Sequence, residues 1–196
     1  VIDGELSFTC LGDHIYNGTV NRFNPTGTLW PSKHSKCILG KIQKDVARII
    51  KLSKFKNGPI NIEARVNNRG DHFIMEIGHF VPQAIKYATG VDMISTNLDL
   101  FENKSVKMKY DEISPTAYCA LFSDDAGKLT SIEISEEVKP FIKEFHQYIQ
   151  PGEKVHSFQG ANAAIGVLLL LFSTQTEMDY YIKNMDRYVK VVIGDI

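Results

Sequence analysis

Two glutamates, Glu63 and Glu76, carry the clearest chemical signal in the chain, because they stand about a dozen positions apart in two neighbouring strand-like segments. Ile60-Asn61-Ile62-Glu63-Ala64-Arg65-Val66 alternates strictly, apolar on one face and polar on the other. His72-Phe73-Ile74-Met75-Glu76-Ile77 reads as a more apolar strand, and Asn67-Asn68-Arg69-Gly70 as the turn between them. The pattern predicts a β-hairpin. If Asn67 pairs with His72, counting back equally along both strands sets Glu63 directly against Glu76 on one face. Side chains so opposed lie roughly 5 Å apart at Cβ, and like charges there are destabilising. Such a pair either raises the pKa of one carboxyl or shares a cation. A few carboxylate oxygens, with phosphate oxygens completing the shell, are how magnesium is commonly held. The alternative is a solvated face on which Glu63 pairs with Arg65 or a nearby lysine.

Two more residues share that face. Arg65 has the reach to bind a phosphate or to neutralise the carboxylates, and Asn61 either orients a ligand or is a plain surface amide. Elsewhere the chemistry is thinner. His14, His34, His72, His79, His146 and His156 show no paired metal-ligand spacing and read as surface or structural residues. Lys33, His34 and Lys36 precede a helix whose N-terminus would attract an anion, against the default of a solvated basic turn. Trp30 reads as a packing residue, and Gly160 to Gly166 matches no phosphate-binding fingerprint. No nucleophile or general base stands out, so no catalytic residue is assigned.

The elements that must position these residues follow from periodicity. Lys33 to Leu52 places Ile38, Ile42, Val46, Ile49 and Ile50 at helical spacing, with Ser32 as the expected cap. Leu6, Phe8 and Cys10 alternate with polar residues after a turn at Asp3-Gly4 and predict a strand, whereas Asn17 to Ser32, rich in Gly and Pro, predicts a loop. Val81 to Thr89 predicts a short helix ended by Gly90, and Asp92 opens another that carries Met93, Ile94, Leu98 and Phe101. From Tyr118 onward come short strands, then the apolar run at Gly166 to Phe172, a helix over Thr174 to Tyr188 and a last strand at Val189 to Ile193. Mixing of this kind without βαβ repetition predicts an α+β class.

The balance of 22 Lys+Arg against 23 Asp+Glu in 196 residues supplies no electrostatic footprint for nucleic acid or an anionic membrane surface. The longest apolar run, Ile165 to Phe172, is far short of a transmembrane helix. Cys10, Cys37 and Cys119, odd in number and far apart, match neither a disulfide framework nor a zinc spacing. They are expected to be buried small apolar residues in a reducing, cytoplasmic setting. The expected partners are therefore small molecules, with no nucleic acid and no membrane, and a homo-oligomer stays open. Val1 falls in what reads as the middle of a strand and opens no signal-peptide pattern, so a piece of a longer protein is expected.

Gly58-Pro59-Ile60-Asn61-Ile62-Glu63-Ala64-Arg65-Val66, Phe73-Ile74-Met75-Glu76-Ile77-Gly78 and Phe80-Val81-Pro82 through Ala88-Thr89-Gly90-Val91-Asp92 together resemble the C-terminal half of an ATP-grasp domain. Carboxylate–amine ligases and carbamoyl-phosphate-synthase-like proteins are the nearest in kind. The resemblance extends over residues 1 to 102. It is looser from 116 to 196, where Gly152, Val155, Gly166 and the last helix and strand look like a small α+β subdomain. It implies a grasp half at 1–103 with a metal-binding hairpin, a C-terminal subdomain at 104–196, and an upstream half with an N-terminal domain before Val1.

What the resemblance implies for chemistry is an ATP- and magnesium-dependent (or manganese-dependent) ligase that joins a carboxylate to an amine through an acyl-phosphate. Glu63 and Glu76 would be the metal ligands; Arg65 and Asn61 are candidate nucleotide contacts only through the face they share with Glu63. One departure bears on this. The family follows its second acidic residue with an Asn or Gly, an Arg and a glycine-rich loop, whereas here Glu76-Ile77-Gly78 runs directly into His79-Phe80-Val81-Pro82. Either the full protein has further residues after Gly78 or the loop is lost, and in the second case a non-catalytic ATP-grasp-like binding or assembly module is the alternative function.

Overall fold

The structure is a computed structural model that describes every residue except Val20, His79, Phe80, Lys107, Lys109, Asp111, Asp195 and Ile196. Along the chain come β1 (Asp13–Ile15), β2 (Gly27–Trp30), α1 (Lys36–Ser53), β3 (Asn61–Val66), β4 (His72–Gly78), α2 (Pro82–Thr89) and α3 (Met93–Phe101). They are followed by β5 (Thr116–Leu121), β6 (Gly127–Ile134), β7 (Ile142–Gln147), β8 (Lys154–Val155), β9 (Gly166–Leu171), α4 (Gln175–Lys183), α5 (Met185–Tyr188) and β10 (Val189–Gly194). These elements form the expected α+β class and divide into two units: Val1–Leu11 with Ser32–Ile113, and Gly12–Pro31 with Ser114–Ile196.

In the first unit, the helical spacing of Ile42, Val46 and Ile50 gives α1 one buried face. That face packs with Ile62, Ala64 and Val66 of β3 and Ile74 of β4, so the strict alternation in β3 turns its other side outward. The helix starts at Ser35, whose Oγ accepts from the Ile38 N–H at 3.4 Å, three residues later than the expected cap. His72, at the start of β4, lies 2.8 Å from Asp45 of α1 through Nε2 and pins the hairpin to the helix. Gly90 ends α2 with a φ of +76°, as its position after the last apolar residue predicts. Asp92 caps α3, accepting from the Ser95 N–H at 3.0 Å and from Lys86 Nζ at 2.7 Å.

In the second unit the Leu-rich run becomes β9, which lies between β5 and β7 in an antiparallel sheet of order β1-β2-β5-β9-β7. An interior strand covered on both faces needs apolar residues at successive positions, and Val167, Leu168, Leu169 and Leu170 are all buried. Leu168 and Leu170 share a core with Ala117, Cys119 and Leu121 of β5 and with Met178 and Ile182 of α4. A second sheet, β10-β6-β8, packs its own cluster around Leu129, Val155 and Ile165.

Four expectations need correction. Leu6 to Cys10 forms no strand, and the first ladder lies further on, at β1. The segment expected as a loop, 17–32, contains β2, because its glycine is a packing requirement and not a turn signal: a Cβ on Gly27 would come within 2.4 Å of the Tyr118 carbonyl. The helix expected over 174–188 breaks at Asn184, whose side chain donates to the Tyr180 carbonyl at 2.7 Å and competes with the backbone ladder. The units are also not separated by a single cut after residue 103. Gly12–Pro31 joins the second unit because β2 pairs along its length with β5, and the chain passes finally into that unit at Ser114.

Two outcomes follow. Gly27→Ala should destabilise the second unit by about 2 kcal/mol or more, because the obstructing atom is backbone and cannot swing away; urea denaturation measures it. The Lys86 ammonium, then the Ser95 N–H, hold the Asp92 carboxyl down at about 2. A depressed folded-state pKa contributes stability above the ordinary carboxylate value near ~4, lost as pH falls through the folded value. Between pH ~4 and about 2 the wild type should therefore lose more helical far-UV signal than Asp92→Asn does.

Candidate functional site

The candidate site is the outward face of the β3–β4 hairpin. Glu63 stands directly opposite Glu76, with Asn61 opposite Gly78 on one side and Arg65 opposite Phe73 on the other. The expected apposition is present, but it is reached differently. At the turn Val66, not Asn67, pairs with His72, one residue out of the expected register. Asn67 instead closes the loop, accepting from the Arg69 and Asp71 N–H groups through Oδ1 at 2.9 and 3.0 Å. A β-bulge at Met75 then restores the register before the glutamates meet. Without that extra residue Glu76 would share the inward face with Ile74.

The carboxylates differ in surroundings. Glu63 is half-buried, with its side chain 23% exposed, and its Oε1 lies 3.1 Å from Arg65 Nη2. Glu76 is exposed and folds back over Gly78, where a Cβ would lie 2.9 Å from its Oε1. Bare backbone at Gly78 thus makes room for the carboxylate, a role not evident from the sequence. Phe73, Met75 and Ile77 are more than half exposed on β4. The sequence signal for them is that β4 is more apolar than a strand with one covered face requires.

Two opposed carboxylates are hard oxygen donors suited to magnesium or manganese. Among the described residues, no group of three or more His, Cys, Asp or Glu is arranged to hold a metal ion. The other candidates do not join the pair. Cys119 is buried and Cys10 largely so, which pushes both thiols up to about 12 and makes them inert. Cys37 is exposed, contrary to the expectation that all three are buried. Trp30 is buried, as a packing residue should be. His79 and Phe80, where the family's Arg- and glycine-rich loop is expected, lie outside the described residues.

No family model and no curated protein matches the chain. Its fold, however, matches solved structures. Phosphoribosylglycinamide synthetase from Anaerococcus prevotii superposes with a TM-score of 0.81 at 14% identity, over 99% of this chain and 51% of that one. L-amino acid ligase from Bacillus licheniformis gives 0.77 at 17% identity, over 88% and 45%. The biotin carboxylase domain of Hydrogenobacter thermophilus 2-oxoglutarate carboxylase, solved with MgADP and bicarbonate, gives 0.65 at 11% identity, over 88% and 40%. The chain spans about half the length of the first two. At these identities the likeness is one of fold, and the fold is that of part of an ATP-grasp protein.

With no metal added, the apposition is a liability. Glu76→Gln removes one of the opposed charges and should raise stability in the presence of a chelator by about 0.5 kcal/mol, read as a small upward shift of the thermal midpoint.

Proposed function

We propose that this chain is part of an ATP- and magnesium-dependent ligase that joins a carboxylate to an amine through an acyl-phosphate. The observation that carries the reading is the direct apposition of Glu63 and Glu76 on an outward face, within an ATP-grasp fold. Glu63 and Glu76 would hold Mg2+ or Mn2+. When bound, the cation offsets charge on the phosphate oxygens as the terminal phosphoryl group transfers to the substrate carboxylate.

The chain's own residues bind and orient. Glu63 and Glu76 supply oxygen ligands and neither donate a proton nor act as nucleophiles. Arg65 supplies a fixed positive charge with a planar fork of donors that suits phosphate oxygens. Asn61, opposite Gly78, supplies an amide that can donate to a ligand at the same edge of the site. ATP and small carboxylate and amine substrates are the partners, and the setting is cytoplasmic. No helix of the described chain is long and apolar enough to cross a membrane.

The competing function, a non-catalytic ATP-grasp-like binding or assembly module, draws on the Glu63–Arg65 ion pair, which gives one of the two carboxylates a structural partner. ADP release that depends on both a carboxylate and an amine separates the two. In the full protein that carries this chain, Glu76→Gln should lower that release about a hundredfold or more while the far-UV spectrum stays unchanged. Full ADP release by Glu76→Gln would overturn the ligase assignment.

A further inference from the structure

The near balance of charge over the whole chain hides a local excess. Residues 33–56 carry eight Lys and Arg against one acid, Asp45. Asp45 is engaged by His72 of β4 at 2.8 Å. On α1, Lys41, Lys44, Arg48 and Lys51 recur at intervals of three, four and three residues, and all four are exposed. Those intervals set them in one stripe along about 15 Å of helix. Among the described residues, none of the four takes part in an ion pair. Like charges three and four residues apart destabilise a helix, and no described acid offsets them here.

Gly40 is the second feature of this face. A glycine inside a helix is destabilising relative to alanine. The fold supplies no packing reason for it, because a Cβ at Gly40 would meet nothing within 4 Å. Gly40, Lys44, Ala47 and Lys51 follow one another at four, three and four residues, the spacing of a helix–helix seam. Two small residues alternate there with two lysines. A second helix can therefore come close at Gly40 and Ala47 while its acids meet the ammonium groups.

We propose that the outer face of α1 docks an acidic helix of a protein partner, one whose Asp or Glu recur every three and four residues. Charge complementarity favours this occupant, since the stripe is one helix wide and carries a single sign. Arg48 adds a planar donor fork that a carboxylate takes with two bonds. Asp45, four residues from Lys41, borders the stripe. A broader anionic surface, such as a membrane or a nucleic-acid duplex, would meet that carboxylate beside the lysines. The opposite side of α1 packs with β3 and β4, so this docking face is separate from the Glu63–Glu76 face and does not depend on the ligase reading.

Fluorescence anisotropy with the full protein that carries this chain tests the proposal, using two labelled alanine-based peptides of equal composition. In one, glutamates stand at intervals of four and three residues; in the other, the same glutamates are spread around the helix. At low salt the striped peptide should bind about fivefold tighter or more, a difference that narrows as salt rises. Lys44→Glu combined with Lys51→Glu should weaken it about tenfold or more. Gly40→Leu should weaken it about fivefold by filling the seam, yet hold the thermal midpoint at or above wild type, because leucine is the better helix former and meets no neighbour. That combination separates docking from unfolding. Equal affinity for the two peptides, or unchanged affinity in Gly40→Leu, would overturn the proposal. So would a uridylate oligomer or phosphatidylserine vesicles binding as tightly as the striped peptide in the same buffer, since the face would then attract any polyanion.

Discussion

Two carboxylates facing each other across a β-ladder are unfavourable where they stand, and the hairpin holds them there because its opposite face is bound. Like charges in that position cost a few tenths to about 1 kcal/mol. Each apolar side chain removed from water contributes about 1.5 to 3 kcal/mol when fully buried. Ile62, Ala64, Val66 and Ile74 all pack with the Ile42–Val46–Ile50 face of α1. Even at partial burial their sum exceeds the local repulsion, so the strands stay paired with Glu63 opposite Glu76.

Register on the hairpin depends on two local devices that oppose each other. The Asn67 side chain closes a loop one residue longer than the simplest turn, which by itself would carry Glu76 to the covered face. The bulge at Met75 inserts one residue and carries it back out. This arrangement lets Ile74 enter the core while Glu76 stays opposite Glu63, a combination that strict alternation along β4 forbids. Arg65 offsets one of the two charges on the outward face, and Gly78 leaves the room that the Glu76 carboxylate occupies.

The second unit shows the same interplay of local signal and long-range pairing. Its core strand β9 is unmistakable in sequence because four consecutive apolar residues need cover on both faces. Strand β2 is not, since Gly27 and the prolines around it carry the composition of a loop. Close approach to the Tyr118 backbone explains that glycine, and the contact spans most of a hundred residues of sequence. Asn184 likewise reads as an ordinary helical residue until its side chain is seen to take the Tyr180 carbonyl.

Periodicity alone determined α1, the hairpin, the caps at Gly90 and Asp92, the apolar strand β9 and the α+β class, because each is written in neighbours a few residues apart. It also put Asn61, Glu63 and Arg65 on one polar face, since side chains alternate along any strand. Tertiary structure decided the rest. The true turn register, the bulge that compensates for it and the membership of Gly12–Pro31 in the second unit depend on which groups meet in space. The apposition of Glu63 and Glu76 was legible from counting, yet it holds for a different reason: the core's demand for Ile74 and the ladder's tolerance of one extra residue act together to turn both acids outward.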